Sequence, residues 1–367
     1  MNRSATQQGN MHEMLLSVVI PSYNRAALLT HAVDSVLAQA DAFADRIEVI
    51  VVDDGSTDAS AHVLREHLRQ HYPATIIAPR KGYELGTEHE PRPALGQEPK
   101  STPGLLARII EQPNAGAGAA RNTGTRAAAG TYVLFLDGDD TLLPGALASV
   151  SAALHLAPAS PPTTVVARPL MVNHDPEDPA MRRAAQQTKP AANTPELRTW
   201  PTWLEAYAHA GAFLGAGGLC VRRDALLTAG GFPEHRLNSE DIHLQLRLGR
   251  LGPCVTIDQP SLFAYRQLPG SASRANQRTL DGWRYIVRQH AMSAYGPHND
   301  ALDRIVIRLM AQQMRAHARR FLREGDHALA WAMYRLGAGC SWRAGRKGWV
   351  LRYPASWLMR RITNRGS

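Results

Sequence analysis

A short apolar run at residues 132–136 is followed at once by Asp137, Gly138, Asp139 and Asp140. The run is rich in β-forming residues, so we predict an interior strand. Three carboxylates at the end of one buried strand repel each other unless they stay solvated or a cation lies between them. Hard oxygen ligands of this kind suit Mg²⁺ or Mn²⁺. The alternative is an acidic turn in which Asp139 or Asp140 caps the helix that begins near Pro144.

The residues before this motif repeat the pattern of an apolar strand, a polar cluster and a helix. Strands are predicted at 15–20, 46–52 and 106–111, and helices at 28–37, 59–71 and 118–129. This alternation predicts an α/β fold with a doubly wound, mostly parallel sheet flanked by helices. Ligands of such sheets bind beyond the carboxyl ends of the strands. The polar clusters should therefore meet at one edge, as a site for a metal-linked, phosphate-bearing ligand.

Length and composition limit the class of protein. A chain of 367 residues can bury a large core and hold more than one unit. We expect residues 1–13 to be disordered and residues 79–104 to form a long disordered loop, because both are polar. No apolar run is long enough to span a bilayer, and the start has no apolar signal-peptide core. The three cysteines lack metal or disulfide spacing, which fits a reducing, cytoplasmic location.

The positive charge is concentrated in residues 275–367. This segment has 17 basic and 5 acidic residues, a net charge of +12, whereas the rest of the chain has a net charge of −3. We therefore predict a separate, basic, helical C-terminal extension from residue 275. Its last part mixes arginines with Trp342, Trp349, Tyr353 and Trp357. That mixture fits an amphipathic helix at the anionic inner face of the cytoplasmic membrane, or a solvated face whose tryptophans pack inward. Charge alone would equally fit nucleic acid, although we expect no nucleic-acid partner.

Four motifs occur together in a known order. They are VVIPSYNR at 18–25, VDDGSTD at 52–58, NAG at 114–116 with ARNTG at 120–124, and DGDD at 137–140. Together they resemble the nucleotide-sugar half of a family 2 glycosyltransferase with the GT-A fold. The resemblance covers roughly residues 14–270, so we expect a GT-A glycosyltransferase domain at 14–274. It implies metal-dependent transfer of a sugar to an acceptor hydroxyl, with inversion. It further implies a nucleotide-sugar donor, a UDP-sugar first of all, and a glycan or lipid-linked acceptor in cell-envelope or other glycan biosynthesis.

The resemblance also assigns roles to residues at the predicted sheet edge. Asp137 and Asp139 form the D-x-D pair that binds the ribose and the Mn²⁺ or Mg²⁺ ion, with Asp139 as the direct ligand. The residues expected to bind the donor are Pro21, Ser22, Tyr23, Asp53, Asp54, Asn114, Gly116, Arg121, Asn122, Asp137, Gly138 and Arg266. Two of these have simpler explanations, because Asp53 could be a helix cap and Arg121 a surface residue paired with a carboxylate. Asp58 is expected to be a cap.

A later segment carries the expected catalytic base. Residues 230–234 (GGFPE) precede a predicted helix whose first turn contains Glu240 and Asp241. The family's matching segment supplies the base, so Asp241 is the expected general base and Glu240 its support or an acceptor contact. The alternative is that Glu240 and Asp241 only stabilise the start of the helix, where a negative charge contributes about 0.3–1 kcal/mol through the helix dipole. The family often has a histidine where Leu268 stands, so Arg266 is expected to hold phosphates instead. His243 is expected to be a packed helix residue.

Two other functions remain open at this point. A non-catalytic module could bind a nucleotide sugar or glycan through the same D-x-D pair. A nucleotidyltransferase shares the sheet architecture, but it usually has a Gly-rich phosphate loop with Arg or Lys after its first strand. Here residues 21–25 (PSYNR) stand at that position, which disfavours this function.

Overall fold

The structure is a computed structural model that describes residues 15–40, 46–72, 105–157, 159–172, 194–211, 213–266 and 275–363. The predictions for residues 1–13, for the whole 79–104 loop and for Leu268 lie outside these ranges.

Strands and helices alternate through the first half of the described chain, as the apolar runs predict. In chain order they are β1 Leu15–Ser22, α1 Ala26–Leu37, β2 Arg46–Asp53, α2 Ser60–His71, β3 Leu105–Glu111, α3 Ala117–Ala127 and β4 Tyr132–Phe135.

Shorter elements follow up to residue 266. They are β5 Thr141–Leu142, α4 Ala146–His155, β6 Thr164–Ala167, β7 Leu170–Val172, β8 Glu196–Trp200, α5 Trp203–Ala210, β9 Cys220–Arg222, α6 Arg223–Thr228, α7 Glu240–Leu248, β10 Cys254–Gln259 and β11 Phe263–Arg266. Four helices then complete the described chain: α8 Asn276–Ala291, α9 Ala301–Arg323, α10 His327–Arg343 and α11 Lys347–Thr363.

Eight strands form the main sheet, in the order β3-β2-β1-β4-β9-β6-β10-β8. The pairs among β3, β2, β1 and β4 are all parallel. Strand β9 is antiparallel to both of its neighbours, β4 and β6, and β8 is antiparallel to β10. A small second sheet has the order β5-β11-β7. The part of the sheet predicted from alternation is therefore the parallel half, and the other half is mixed.

Apolar side chains cover both faces of the main sheet, which is why its inner strands have nearly continuous apolar sequences. Helices α1, α2 and α4 pack on one face, where Leu16, Val18 and Ile20 of β1 point. Val19 points to the other face, which is covered by α3 and α5–α7. The C-terminal helices α8–α11 share this second core, through residues such as Trp283. The basic segment is thus packed on the sheet through a common core.

The parallel strands end in register at one edge. Ser22 is paired with Asp53, and Asp53 with Glu111. Backbone hydrogen bonds continue past the strand ends, with Asp54 N donating to Ser22 O at 2.8 Å and Gly138 N donating to Pro21 O at 3.2 Å. The polar clusters therefore lie side by side. Within the described ranges, no helix combines the length and hydropathy needed to cross a bilayer.

Candidate active site

The acidic cluster after β4 is paired with arginines from other elements. Arg25 Nε donates to Asp139 Oδ2 at 3.1 Å, and Arg121 Nη2 donates to Asp137 Oδ1 at 2.6 Å. Burial and the neighbouring charge of Asp137 raise the pKa of Asp139, although Arg25 opposes this. Asp140 is buried, its Oδ1 accepting a hydrogen bond from Arg266 N at 3.0 Å. Burial raises its pKa well above the usual value, and Asp137 adds to the effect. Three carboxyl groups after β4, two of them paired with arginines, therefore form the acidic part of the site.

Arg121 joins this cluster to the start of helix α7. Its guanidinium donates from Nη2 to Asp137 and from Nη1 to Glu240 Oε1, the latter at 3.1 Å. The residue is only 5% exposed, and its Cζ lies 5.3 Å from the centre of the Phe232 ring. Burial disfavours the charged form, but Asp137 and Glu240 outweigh it and raise the pKa of Arg121. This arginine is therefore a permanent cation between the two predicted halves of the site. It is paired with a carboxylate, as the simpler explanation held, but it is buried.

Asp241 follows Glu240 in the first turn of α7. Burial, reinforced by the charge of Glu240, raises its pKa to about 7, while Arg121 and the Ile242 N–H, which donates to Oδ1 at 2.7 Å, lower it. A carboxyl group that titrates near pH 7 can accept a proton from a bound hydroxyl and remain a useful acid afterwards. Ser239, the residue before the helix, has φ of 71°. Such a left-handed conformation is uncommon for serine and is often found at functional sites.

The aspartates after β2 organise the neighbouring loops. Asp53 Oδ1 accepts a hydrogen bond from Ser56 N at 2.8 Å, so the residue closes the turn that contains Gly55 and does not cap helix α2, which begins at Ser60. Asp54 accepts from Gln112 Nε2 and Ala115 N at 2.8 Å, and from Gly116 N at 2.7 Å. These three bonds use both Asp54 oxygens to shape the 112–116 loop. The structure therefore shows Asp54 holding this loop, and its predicted contact with the donor stays a prediction.

The turn after β1 closes the same edge. Tyr23 is 44% exposed, whereas Ser22 is buried. Gly138 lies so close to this turn that an added Cβ would stand 3.0 Å from Pro21 O. A larger residue would therefore push the acidic loop away from the end of β1. Asp58 acts as the expected cap, accepting from Ser60 N at 3.0 Å and from Ala26 N, at the start of α1, at 3.2 Å.

Asn122 of α3 holds the segment that leads to the predicted base. Its Oδ1 accepts from Phe232 N at 2.8 Å, and its Nδ2 donates to Phe232 O at 2.9 Å. An added Cβ on Gly231 would stand 2.5 Å from Asn122 Oδ1. The Asn122 amide thus fixes the 231–233 backbone, and its predicted contact with the donor stays a prediction. This pairing places Phe232 beneath Arg121.

The C-terminal segment supports the same region. Asn238 Nδ2 donates to Thr279 Oγ1 at 3.0 Å and to Ala275 O at 3.3 Å. A Cβ on Gly282 of α8 would stand 1.8 Å from Asn238 O, so α8 approaches the loop before Glu240 very closely. His243 is buried as expected, and its Nδ1 lies 2.8 Å from the Tyr295 hydroxyl. Burial lowers the pKa of His243 to about 4, which keeps it neutral.

Arg266 lies at the end of β11, beside the acidic cluster. Besides its backbone bond to Asp140, its Nη2 donates to Thr141 Oγ1 at 3.0 Å.

Two other arginines lie at the site, although the sequence predicted no role for them. Arg25 pairs with Asp139, and Arg236 donates to Asn114 O. Arg25 directly follows the PSYN motif, and this position in the sequence could have predicted it as a site residue. Arg236 had no such signal, because its partner is 122 residues away in sequence.

The edge of the sheet therefore assembles the predicted residues into one connected site. Arg25 is paired with Asp139, and Arg121 is paired with both Asp137 and Glu240, the residue before Asp241. The side chains of this site include carboxylates that suit a hard cation, arginines that suit phosphate oxygens, and a carboxyl group with a pKa near neutrality. These are the groups needed to displace a phosphate leaving group.

Comparisons with known proteins agree with this arrangement. The family model described as glycosyl transferase family 2 matches residues 17–87 and 100–210. The chain is 31% identical over 126 residues to the uncharacterized glycosyltransferase EpsJ of Bacillus subtilis (strain 168), covering 34% of this chain and 26% of EpsJ. It is 30% identical over 138 residues to the minor teichoic acid biosynthesis protein GgaA of the same strain, covering 37% and 24% of the two chains. The matches thus span about a quarter of each relative.

A solved structure resembles nearly the whole chain. The crystal structure of S. aureus TarS 1-349 in complex with UDP-GlcNAc superposes with a TM-score of 0.58 at 16% sequence identity, covering 90% of this chain and 82% of that one. At this identity the likeness establishes the fold, which is the GT-A arrangement of a mixed sheet flanked by helices.

Proposed function

The chain belongs to glycosyl transferase family 2, and on that premise we propose that it transfers a sugar from a nucleotide-sugar donor to an acceptor hydroxyl, with inversion at the anomeric carbon. The observation that carries the proposal is the position of Arg121. It contacts Asp137 of the D-x-D pair and Glu240 beside the predicted base, so the donor edge and the base belong to one site. The name of the relative GgaA supports a role in cell-envelope glycan synthesis.

The donor would bind along the carboxyl ends of β1 to β4. Tyr23 is exposed at this edge, where its ring can stack on a base. Asp53, with Oδ1 used by the turn, would accept from the base through its other oxygen. The arginines Arg25, Arg121 and Arg266 supply positive charge near the diphosphate. A UDP-sugar is the first candidate, supported by the UDP-GlcNAc bound to TarS.

Asp137 and Asp139 fit a divalent cation. Each has one oxygen paired with an arginine, and the other makes no hydrogen bond with the described residues. Burial, followed by the negative charge of Asp137, raises the pKa of Asp139, and Arg25 opposes both effects. Mn²⁺ or Mg²⁺ prefers such oxygens. A cation held there would offset the charge that develops on the leaving diphosphate.

Asp241 would act as the general base. Its carboxylate would accept the proton of the acceptor hydroxyl while the hydroxyl oxygen forms a bond to the anomeric carbon. The bond between this carbon and the diphosphate oxygen breaks on the opposite face, and its electron pair leaves with the nucleoside diphosphate. Burial, reinforced by the charge of Glu240, raises the pKa of Asp241 to about 7, which supports this step.

Thermal shift with a panel of nucleotide sugars, with and without Mn²⁺, tests donor and metal together. A donor at 100 times its Kd stabilises the folded state by about 2.7 kcal/mol. We expect one nucleotide class to raise the Tm strongly with Mn²⁺ and weakly without it. Asp139→Ala should lose the Mn²⁺-dependent part, whereas the control Asp281→Ala, on the outer surface of α8, should keep it.

Transfer assays separate the remaining possibilities. Full transfer activity in EDTA would reject the metal role. Donor binding without transfer to any of many acceptors would support a binding module instead of an enzyme acting on them.

A further inference from the structure

The last helix, α11, presents two different faces. One face is sealed against the protein by aromatic residues. The Tyr353 hydroxyl donates to Ala318 O, and Trp357 Nε1 donates to His327 O, both at 2.8 Å. The rings of Trp349 and Tyr353 lie 5.0 Å apart and pack on Tyr334 of α10. Three of the four aromatic residues that the sequence suggested for a membrane face, Trp349, Tyr353 and Trp357, therefore point inward, so the inner face of α11 is already occupied.

The opposite face of α11 is apolar and exposed. It is defined by Leu351, Leu358, Met359 and Ile362, which are 69%, 51%, 66% and 60% exposed. Their spacing of seven, one and three residues places them on one side of a helix. We call these four residues the outer stripe. A 17-residue helix is about 25 Å long, so the outer stripe is an extended surface. Such concentrations of exposed aliphatic side chains mark interaction sites.

Basic residues border the outer stripe. Residues 341–367 contain seven basic and no acidic residues. Arg352, Arg360 and Arg361 are exposed on α11, and the Lys347 ammonium lies 5.2 Å from the ring centre of Trp342, which is itself 47% exposed. An apolar stripe with flanking cations and a tryptophan at one end is complementary to a bilayer with anionic headgroups.

The charges argue against the other occupants of the outer stripe. A second copy packed stripe to stripe would bring the basic borders of both copies together without any acidic partner on α11. Nucleic acid would satisfy the arginines but leave the four aliphatic side chains in water. Of these three occupants, the anionic lipid surface is the one that satisfies both the aliphatic and the basic side chains.

We propose that α11 docks the protein on anionic membranes, with the outer stripe inserted between headgroups and the flanking basic residues paired with lipid phosphates. This docking does not depend on sugar transfer, so it can fail while the proposed activity stands, and the reverse. Its contribution would be to hold the catalytic site near acceptors carried by the membrane.

Vesicle co-sedimentation of the full chain tests the proposal. We expect binding to vesicles of phosphatidylcholine and phosphatidylglycerol in equal parts to be at least tenfold tighter than to phosphatidylcholine alone, and to weaken at high salt. The double variant Leu358→Gln, Met359→Gln should bind at least tenfold more weakly. The control Leu227→Gln, Met292→Gln changes equally exposed residues elsewhere and should bind like the parent chain.

Three results would overturn the docking role. The first is no binding to the anionic vesicles, and the second is equal binding by the parent chain and the outer-stripe variant. The third is a dimer, seen in sedimentation velocity, that dissociates in the outer-stripe variant, which would assign the surface to a second copy. Equal Tm values for the parent chain and both variants would show that the substitutions leave the fold intact.

Discussion

Asp241→Asn should make the protein more stable at pH 8 while abolishing transfer. In the folded protein burial raises the pKa of Asp241 from 3.8 to about 7. Each pKa unit corresponds to about 1.4 kcal/mol, so ionised Asp241 costs the folded state up to about 4 kcal/mol. Because the residue keeps partial exposure, we expect a smaller cost, between about 1 and 4 kcal/mol. Asparagine keeps the shape and an oxygen for the Ile242 N–H, but it never ionises.

The sign of the effect depends on pH. The unfolded carboxyl group loses its proton near pH 4 and the folded one near pH 7, so between these values the folded state binds more protons. Stability of the parent chain therefore falls as the pH rises through this window. The advantage of the Asn variant should be absent near pH 4 and complete above pH 7. Transfer by the parent chain should fall about tenfold for each pH unit below 7, because only ionised Asp241 accepts the proton.

The assay is thermal unfolding at pH 5 and pH 8, alongside transfer at pH 8. We expect the Asn variant to unfold at least about 2 °C higher than the parent chain at pH 8, with a smaller difference at pH 5, and to lose at least about a hundredfold in turnover. Asp224→Asn is the matched control, since Asp224 also begins a helix but has a lowered pKa through its bond with Arg222. It should gain no stability at pH 8. Parent-like turnover of Asp241→Asn, or equal Tm differences at both pH values, would refute the assignment.

Two further predictions concern packing and charge. Arg121→Met leaves Asp137 and Glu240 without their shared cation, and should lower the free energy of unfolding in urea by about 3–5 kcal/mol; an unchanged value would contradict the buried ion pairs. Gly124→Ala places a Cβ 2.3 Å from a methyl group of β1 and should cost about 1–3 kcal/mol, whereas Gly339→Ala on α10 meets no atom within 4 Å and should be neutral or stabilising. Equal Tm values for the two alanine variants would show that α3 does not approach β1 so closely.

Local sequence was sufficient to predict the parallel half of the fold. The runs at 15–20, 46–52, 106–111 and 132–136 are continuously apolar because both faces of their strands are buried, and the strands were found within one or two residues of these positions. The polar clusters at their ends were therefore predictable neighbours. The antiparallel strand β9 left no comparable signal of direction, since three residues carry little periodicity.

Contacts between distant segments were not predictable in the same way. The pairing of Arg25 with Asp139 spans 114 residues, and that of Arg121 with Glu240 spans 119. A sequence shows that each side chain is charged but not which opposite charge it meets. The pairing of the Asn122 amide with the Phe232 backbone, 110 residues away, was likewise not predictable, because an amide can bond a backbone or a ligand equally well.

The amino-acid sequence by itself determined the chemistry available at the sheet edge: carboxylates at 137–140, a second acidic pair at 240–241, and apolar strands that carry them there. Tertiary structure alone decided the pKa values of these groups and which surfaces remain exposed to solvent. The pKa of Asp241 depends on its burial and on Glu240 and Arg121 beside it, and the aromatic residues of α11 turned inward while its aliphatic residues stayed outside. Both outcomes follow from packing, since desolvation and exposure are properties of the folded surroundings and not of any residue alone.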